Sequence, residues 1–248
     1  MASSGPPAAE VSHADFRPAL IVVDVQEDFC PPNGTLAVPN GRSIAPIINQ
    51  LLALRGFVVR VATQDFHPVD HVSFATNHSP PNNRPYESFI EMKNPAVGKK
   101  ESETKPQRLW PVHCVQESPG AAIIPEIEID KIDVFVTKGM DARVEMYSAF
   151  ADAFGNDSLG TGVNIDLSAT LRERNVSDVF VVGIAGDYCV KSTAIDSVRK
   201  GFKTWVVEEA VKSVDPGAGW EAARKELAQY GVGVISAGGP ELARIKAL

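Results

Sequence analysis

A chain of 248 residues that is 44% hydrophobic and 22% charged can bury one sizeable core. Its net charge of −7, with no block of like charges, argues against nucleic acid and anionic membrane surfaces as partners. No apolar run approaches the ~18 residues a membrane span needs. The three cysteines, Cys30, Cys114 and Cys189, make no disulfide framework and suit a reducing cytosol.

Residues 1–18, rich in Ala, Ser, Gly and Pro without an apolar centre, read as a mobile tail and not as a signal peptide; 19–248 read as one domain. The apolar run 19–24 is a central parallel strand. In 43–55, Ile44, Ile47, Ile48, Leu51 and Leu52 recur at helical spacing, with Pro46 tolerable in the first turn. Gly56 ends that helix, and 57–63 is the second strand. Residues 64–131 break the alternation; their ends carry candidate chemistry, and their middle, about 80–105, reads as a solvated excursion. Then come a strand at 132–137, a helix at 167–174 and a strand at 178–184. A helix at 188–200, a strand at 203–207, a helix at 220–230 and a strand at 232–235 complete the series. This order predicts an α/β fold: a three-layer Rossmann-like sandwich around a six-stranded parallel sheet.

In such sheets the site forms at the carboxyl ends of the strands. Cys189 lies where the fourth strand turns through Ala185-Gly186-Asp187-Tyr188 into a helix. A thiol there is expected to feel the helix dipole, which lowers its pKa; the alternative is a buried structural cysteine. Asp24 and Lys138 end the first and third strands. A carboxylate can take the thiol proton and an ammonium can stabilise the thiolate, although either residue alone is also ordinary turn or surface chemistry. The segment Asp65-Phe66-His67, with His113 in Trp110-Pro111-Val112-His113-Cys114, supplies an Asp/His/His set able to hold a divalent ion with positions left open. Read blandly, these are loop polars. His71 is a further ligand or a supporting residue, His78 is exposed loop, and His13 belongs to the tail.

Seven blocks together carry a family resemblance, from about residue 19 to 236. They are Asp24-Val25-Gln26-Glu27-Asp28-Phe29, Gly34-Thr35-Leu36-Ala37-Val38-Pro39, Asp65-Phe66-His67-Pro68 with His71-Val72-Ser73-Phe74, Trp110 to Gln116, Lys138-Gly139, Tyr147-Ser148-Ala149-Phe150, and Gly183 to Val190. The chain resembles the nicotinamidases of the isochorismatase-like cysteine hydrolase superfamily. The resemblance implies a catalytic triad of Asp24, Lys138 and Cys189, and an oxyanion hole of the Ala185 and Cys189 backbone N–H groups. It implies ring-packing by Phe29, Trp110 and Tyr147, and a metal, zinc with iron or manganese as alternatives, on Asp65, His67 and His113. It also implies a cis peptide at Ile184–Ala185, nicotinamide as small-molecule substrate, hydrolysis through a Cys thioester, and self-association as a homo-oligomer; the cysteine usage places the chain in the cytoplasm. Gly186 stands where relatives have a larger residue, which predicts a looser wall or turn. Phe66 replaces a common Trp, and Cys30-Pro31-Pro32-Asn33 predicts an altered pocket rim. The rival readings are a metal-independent amidohydrolase for a carbamoyl or ureido substrate, which the Asp/His/His set disfavours, and a non-catalytic binding relative.

Overall fold

The computed structural model describes residues 16–96, 98, 103–157 and 159–248. In chain order its elements are β1 (Pro18–Val23), α1 (Ala45–Leu52), β2 (Val59–Asp65), β3 (Phe89–Lys93), β4 (Thr104–Arg108), β5 (Val134–Lys138) and α2 (Leu167–Glu173). There follow β6 (Asp178–Ile184), α3 (Lys191–Arg199), β7 (Lys203–Lys212), α4 (Ala218–Gln229), β8 (Gly233–Ile235) and α5 (Pro240–Lys246). Six strands form one parallel sheet in the order β5-β2-β1-β6-β7-β8. Strand alternation sorts the central apolar runs between two cores. Leu20, Val22, Phe180 and Val182 face α1 and α5, while Ile21, Val23, Val179 and Val181 face α2, α3 and α4. The result is the expected three-layer sandwich.

Strand order reverses at β1, which lies between β2 and β6. That switch point opens a crevice above the carboxyl ends of β2, β1 and β6, and β5 reaches it from the far side of β2. Asp24, Asp65, Lys138 and the turn to Cys189 all lie there.

Several boundaries differ from the sequence reading. The first helix is a 3₁₀ turn (Gly41–Ile44) leading into a shorter α1, with Pro46 near its start. β5 begins at Val134; just before it Asp133 donates its N–H to Arg60 O at 2.8 Å while its Oδ2 accepts from the Arg60 N–H at 2.7 Å, and Lys138 is the strand's last residue. β7 continues to Lys212, since its register against β6 shifts between Val181 and Gly183 and pairing resumes. The expected tail falls mostly in 1–15, outside the described residues. Its end is ordered: Phe16 is buried beneath the Arg244 guanidinium, 3.9 Å from the ring centroid, and Arg17 donates to Arg174 O at 2.9 Å. The 80–105 excursion is not merely solvated. Within it β3 pairs antiparallel with β4, burying Met92 and Gln107; 97 and 99–102 lie outside the described residues.

Candidate active site

Asp24 follows β1 in a left-handed conformation, φ 47°, a region costly for a side chain other than glycine. Thr63 holds it there: its Oγ1 donates to Asp24 Oδ1 at 2.6 Å, and its carbonyl accepts from the Asp24 N–H at 3.2 Å. Lys138, fully buried, reaches across β2 to the same point. Its Nζ lies 2.9 Å from Asp24 Oδ2, 2.5 Å from Asp65 Oδ1, 3.1 Å from Met146 O and 3.8 Å from Cys189 Sγ. Burial alone would lower the lysine pKa, but Asp24, Asp65 and the thiol raise it well above the usual value. Lys138 is therefore a permanent cation between two carboxylates. Burial would raise Asp65, yet Lys138 and His67 hold it far below the usual carboxylate range. Asp24 is raised by burial, with Lys138 pulling down and Asp65 pushing up. It is the better proton acceptor of the two.

Cys189 sits in a π-helical turn (Gly186–Val190) and not in the first turn of an α-helix. Ala185 O accepts from both the Tyr188 and Val190 N–H groups at 3.0 Å, and the second bond is the i→i+5 closure of that turn. The Ile184–Ala185 peptide before it is cis, as expected. The sequence reading of a dipole-lowered thiol does not hold. Burial raises its pKa well above the ordinary value, Lys138 opposing and the two carboxylates adding to the rise. The resting group is a neutral thiol.

Asp65, His67 and His113 place one ligand atom each within 4.8 Å of one another. Both imidazoles are anchored by Nδ1, His67 on Gly139 O at 2.8 Å and His113 on Pro111 O at 2.7 Å. A carbonyl only accepts, so each Nδ1 carries hydrogen and each Nε2 offers a lone pair. His67 Nε2 is buried with no hydrogen-bond partner among the described residues. An orphaned imidazole nitrogen beside a carboxylate and a second imidazole fits a divalent cation. Gly139 is required here: at φ 67° a Cβ would lie 2.5 Å from the His67 ring. His71 is not brought in as a ligand. It stacks on His67, ring centroids 4.0 Å apart, with Nδ1 on Ser73 Oγ at 2.8 Å and Nε2 on Val144 O at 3.2 Å. Burial holds its pKa well below the usual value.

The cavity beside these groups is lined by Phe29, Trp110, Tyr147, Tyr188, Ala185 and Cys189, with Asp65 and His113 at one side. Leu36, Val38 and Val214 close it. All three ring-packing candidates thus line one space with the thiol. Cys30 is a core residue away from this rim, its thiol pushed up to about 12 by burial. Gly186 does not loosen the wall. The space a larger residue would need holds Ser213 Oγ, Val211 Cγ1 and Trp220, 2.5, 2.7 and 3.0 Å from an added Cβ.

Four residues that the sequence reading left without a role shape the site. Gln26 donates to Asp65 O and accepts from Asp65 N–H, both at 2.8 Å, continuing the β1–β2 pairing past the strand ends. Asp28 Oδ2 accepts from the Cys114 N–H at 2.7 Å beside His113. Asp187 accepts from Val214 and Asp215 N–H at 3.0 and 2.9 Å, fixing the Val214 wall. Buried Glu145 lies within 4.8 Å of His67 and His71. For Gln26, the signal was a polar residue three places past a wholly apolar strand.

The Isochorismatase domain model matches residues 18–238. A nicotinamidase of Acinetobacter baylyi is 37% identical over 223 residues, covering 88% of this chain and 92% of its own. The crystal structure of the yeast nicotinamidase bound to nicotinaldehyde superposes with a TM-score of 0.79 at 32% identity, covering 88% of this chain and 99% of that one. A Pyrococcus horikoshii pyrazinamidase in complex with zinc gives 0.66 at 31%, covering 89% and 99%. With the family model spanning every strand of the sheet and the switch-point crevice built as described, this chain belongs to the isochorismatase family.

Proposed function

We propose that this chain hydrolyses nicotinamide to nicotinate and ammonia through a thioester on Cys189. The observation that carries the reading is the convergence of the Cys189 thiol, the Asp24–Lys138 pair and the Asp65/His67/His113 set on one aromatic-walled cavity. The named activities of the relatives point the same way.

The steps follow from the protonation states. Asp24 takes the proton of the neutral thiol as sulfur attacks the carboxamide carbon, and the carbonyl π electrons move to oxygen. The Ala185 and Cys189 N–H groups stabilise that oxyanion. As the C–N bond breaks, Asp24 returns its proton to the departing nitrogen, releasing ammonia. A water, deprotonated by Asp24, then attacks the thioester; the C–S bond breaks and the thiol regains its proton. Lys138 keeps its charge throughout and holds the Asp24 carboxylate beside the sulfur. Phe29, Trp110 and Tyr147 grip the ring. Asp65, His67 and His113 would hold a divalent ion, zinc by analogy with the zinc-bound P. horikoshii enzyme although their N/O donors accept iron or manganese as well, and when bound it would supply a Lewis-acid anchor for the pyridine nitrogen.

Among the described residues no helix is long and apolar enough to cross a membrane, and all three cysteines are free and buried, which supports a reducing compartment, the cytosol. Purified chain will release ammonia from nicotinamide, and Cys189→Ala will not. Turnover of a ureido compound with none on nicotinamide would overturn this reading.

A further inference from the structure

The β3–β4 hairpin influences the cavity from behind, and it does so through one buried amide. Gln107 is 3% exposed on a strand whose preceding residues, Thr104, Lys105 and Pro106, are exposed. Burying an amide is costly unless its hydrogens find acceptors, and Gln107 Nε2 finds two: Arg108 O at 2.7 Å and Tyr147 Oη at 2.9 Å. A carbonyl only accepts, so the atom facing Arg108 O must be the NH₂, and the same NH₂ donates to the phenol. Trp110 Nε1 donates to that phenol as well, at 2.9 Å. The Tyr147 oxygen thus knots two walls of the cavity together, with Gln107 holding the knot from outside. Both rings also pack on Tyr188, with centroids 5.0 Å from Trp110 and 5.5 Å from Tyr147.

We propose that Gln107 is a positioning residue for the substrate ring, acting through the Tyr147 hydroxyl to fix the separation of Trp110 and Tyr147. This rests on the nicotinamide reading above. Gln107 lies outside the cavity lining and so touches no reacting atom; its effect, through Tyr147, is to fall on ring binding and not on bond breaking.

The test is a double-mutant cycle on metal-loaded full-length protein, with nicotinamide as substrate. Gln107→Leu will raise KM about five- to tenfold, the loss of roughly one hydrogen bond, with kcat within about twofold of wild type. Tyr147→Phe will raise KM as well. Adding Gln107→Leu to Tyr147→Phe will change KM by less than about twofold, because the phenol acceptor is already gone. An unchanged KM in Gln107→Leu, multiplying effects in the double variant, or a fall in kcat matching the rise in KM each overturns the inference. If the Leu variant fails to fold, Gln107→Met replaces it in the same cycle. A wild-type chain inert on nicotinamide overturns the functional reading instead. The cycle is then read on the dissociation constant of nicotinaldehyde: a rise of about five- to tenfold in Gln107→Leu that vanishes on the Tyr147→Phe background supports the inference, and an unchanged constant or multiplying effects overturn it.

Discussion

Asp24 has to be a base beside a lysine that favours its ionised form, and inside a core that disfavours it. Burial wins, so its pKa stands above the ordinary carboxylate value. The reaction needs the ionised form, so kcat/KM on nicotinamide will climb as pH rises through that pKa. The acid limb of the profile will have its midpoint above the ~3.9 of a free Asp. Asp24→Asn will lower kcat by about 10²–10⁴-fold with the fold intact, as read by steady-state kinetics beside a circular dichroism spectrum. The thiols are separated by position more than by acidity. Cys30, Cys114 and Cys189 are all raised by burial, but only Cys189 lines the cavity. Iodoacetamide at pH 8 will therefore alkylate Cys189 first in the native protein, and a millimolar excess of nicotinate will slow it; peptide mass mapping reads both effects. Asp24, Lys138, Cys189, Asp65, His67 and His113 were legible because their chemistry resides in their own side chains at strand ends or in a short D-x-H segment. Gly139 and Gln107 were hidden because each acts on another residue's ring or hydroxyl, and no composition or spacing records that.

Elements differ in how plainly the sequence announces them. β1 and β6 were legible since a parallel strand covered on both faces is a near-continuous apolar run, broken in β6 only by Asp178 at its start, and all residues of both are buried. The second half of β7 was obscured by Glu208 and Glu209, which point polar groups outward while Ala210 and Val211 return to the core. The hairpin was obscured by exposed polar positions and by Pro106, which is admissible only because β4 is an edge strand of a two-stranded ribbon. The π-helical turn has no periodic signature at all, since one i→i+5 bond defines it. That turn leans on its surroundings at Gly186. Gly186→Ala would drive a methyl into Ser213, Val211 and Trp220, so it will destabilise the fold by about 1–3 kcal/mol, read as a lower urea midpoint with an unchanged slope. The same displacement moves the start of the nucleophile turn, so kcat will fall more than KM rises. A variant with wild-type kcat would mean that the turn is not rigidly coupled to this contact.

At the scale of the molecule, strands distant in sequence meet at a cluster of buried charge, and its balance decides what the fold needs from an ion. Lys138 neutralises only one of the two carboxylates it touches, Asp24 and Asp65. The remaining negative charge faces the unpartnered His67 Nε2 and His113. The two imidazoles respond in opposite directions: burial lowers the His67 pKa but Asp65 outweighs it and raises the group, while His113 is lowered to about 4 by burial and by His67. Linkage then has a definite sign for His113. Its folded pKa lies below the unfolded ~6.5, so its contribution is complete above pH 6.5 and is lost as pH falls toward 4, because the unfolded chain binds the proton first. A divalent cation supplies the missing charge without that penalty and binds only where β2 and the 110–114 segment are assembled. Zinc will therefore stabilise the folded chain in its own right. At roughly a thousandfold excess over Kd the gain is about 4 kcal/mol, which for a chain of this size is a rise in Tm on the order of 10 °C. Stripping the protein with a chelator and scanning thermal unfolding with and without zinc at pH 7.5 measures it. His67→Ala and His113→Ala will each abolish most of the shift, whereas His71→Ala will lower Tm yet leave the zinc-dependent increment in place, because both of its nitrogens are already committed to Ser73 and Val144. An increment that survives loss of His113 but vanishes with His71 would move the ion to the His67, His71 and Glu145 group and overturn the Asp/His/His assignment.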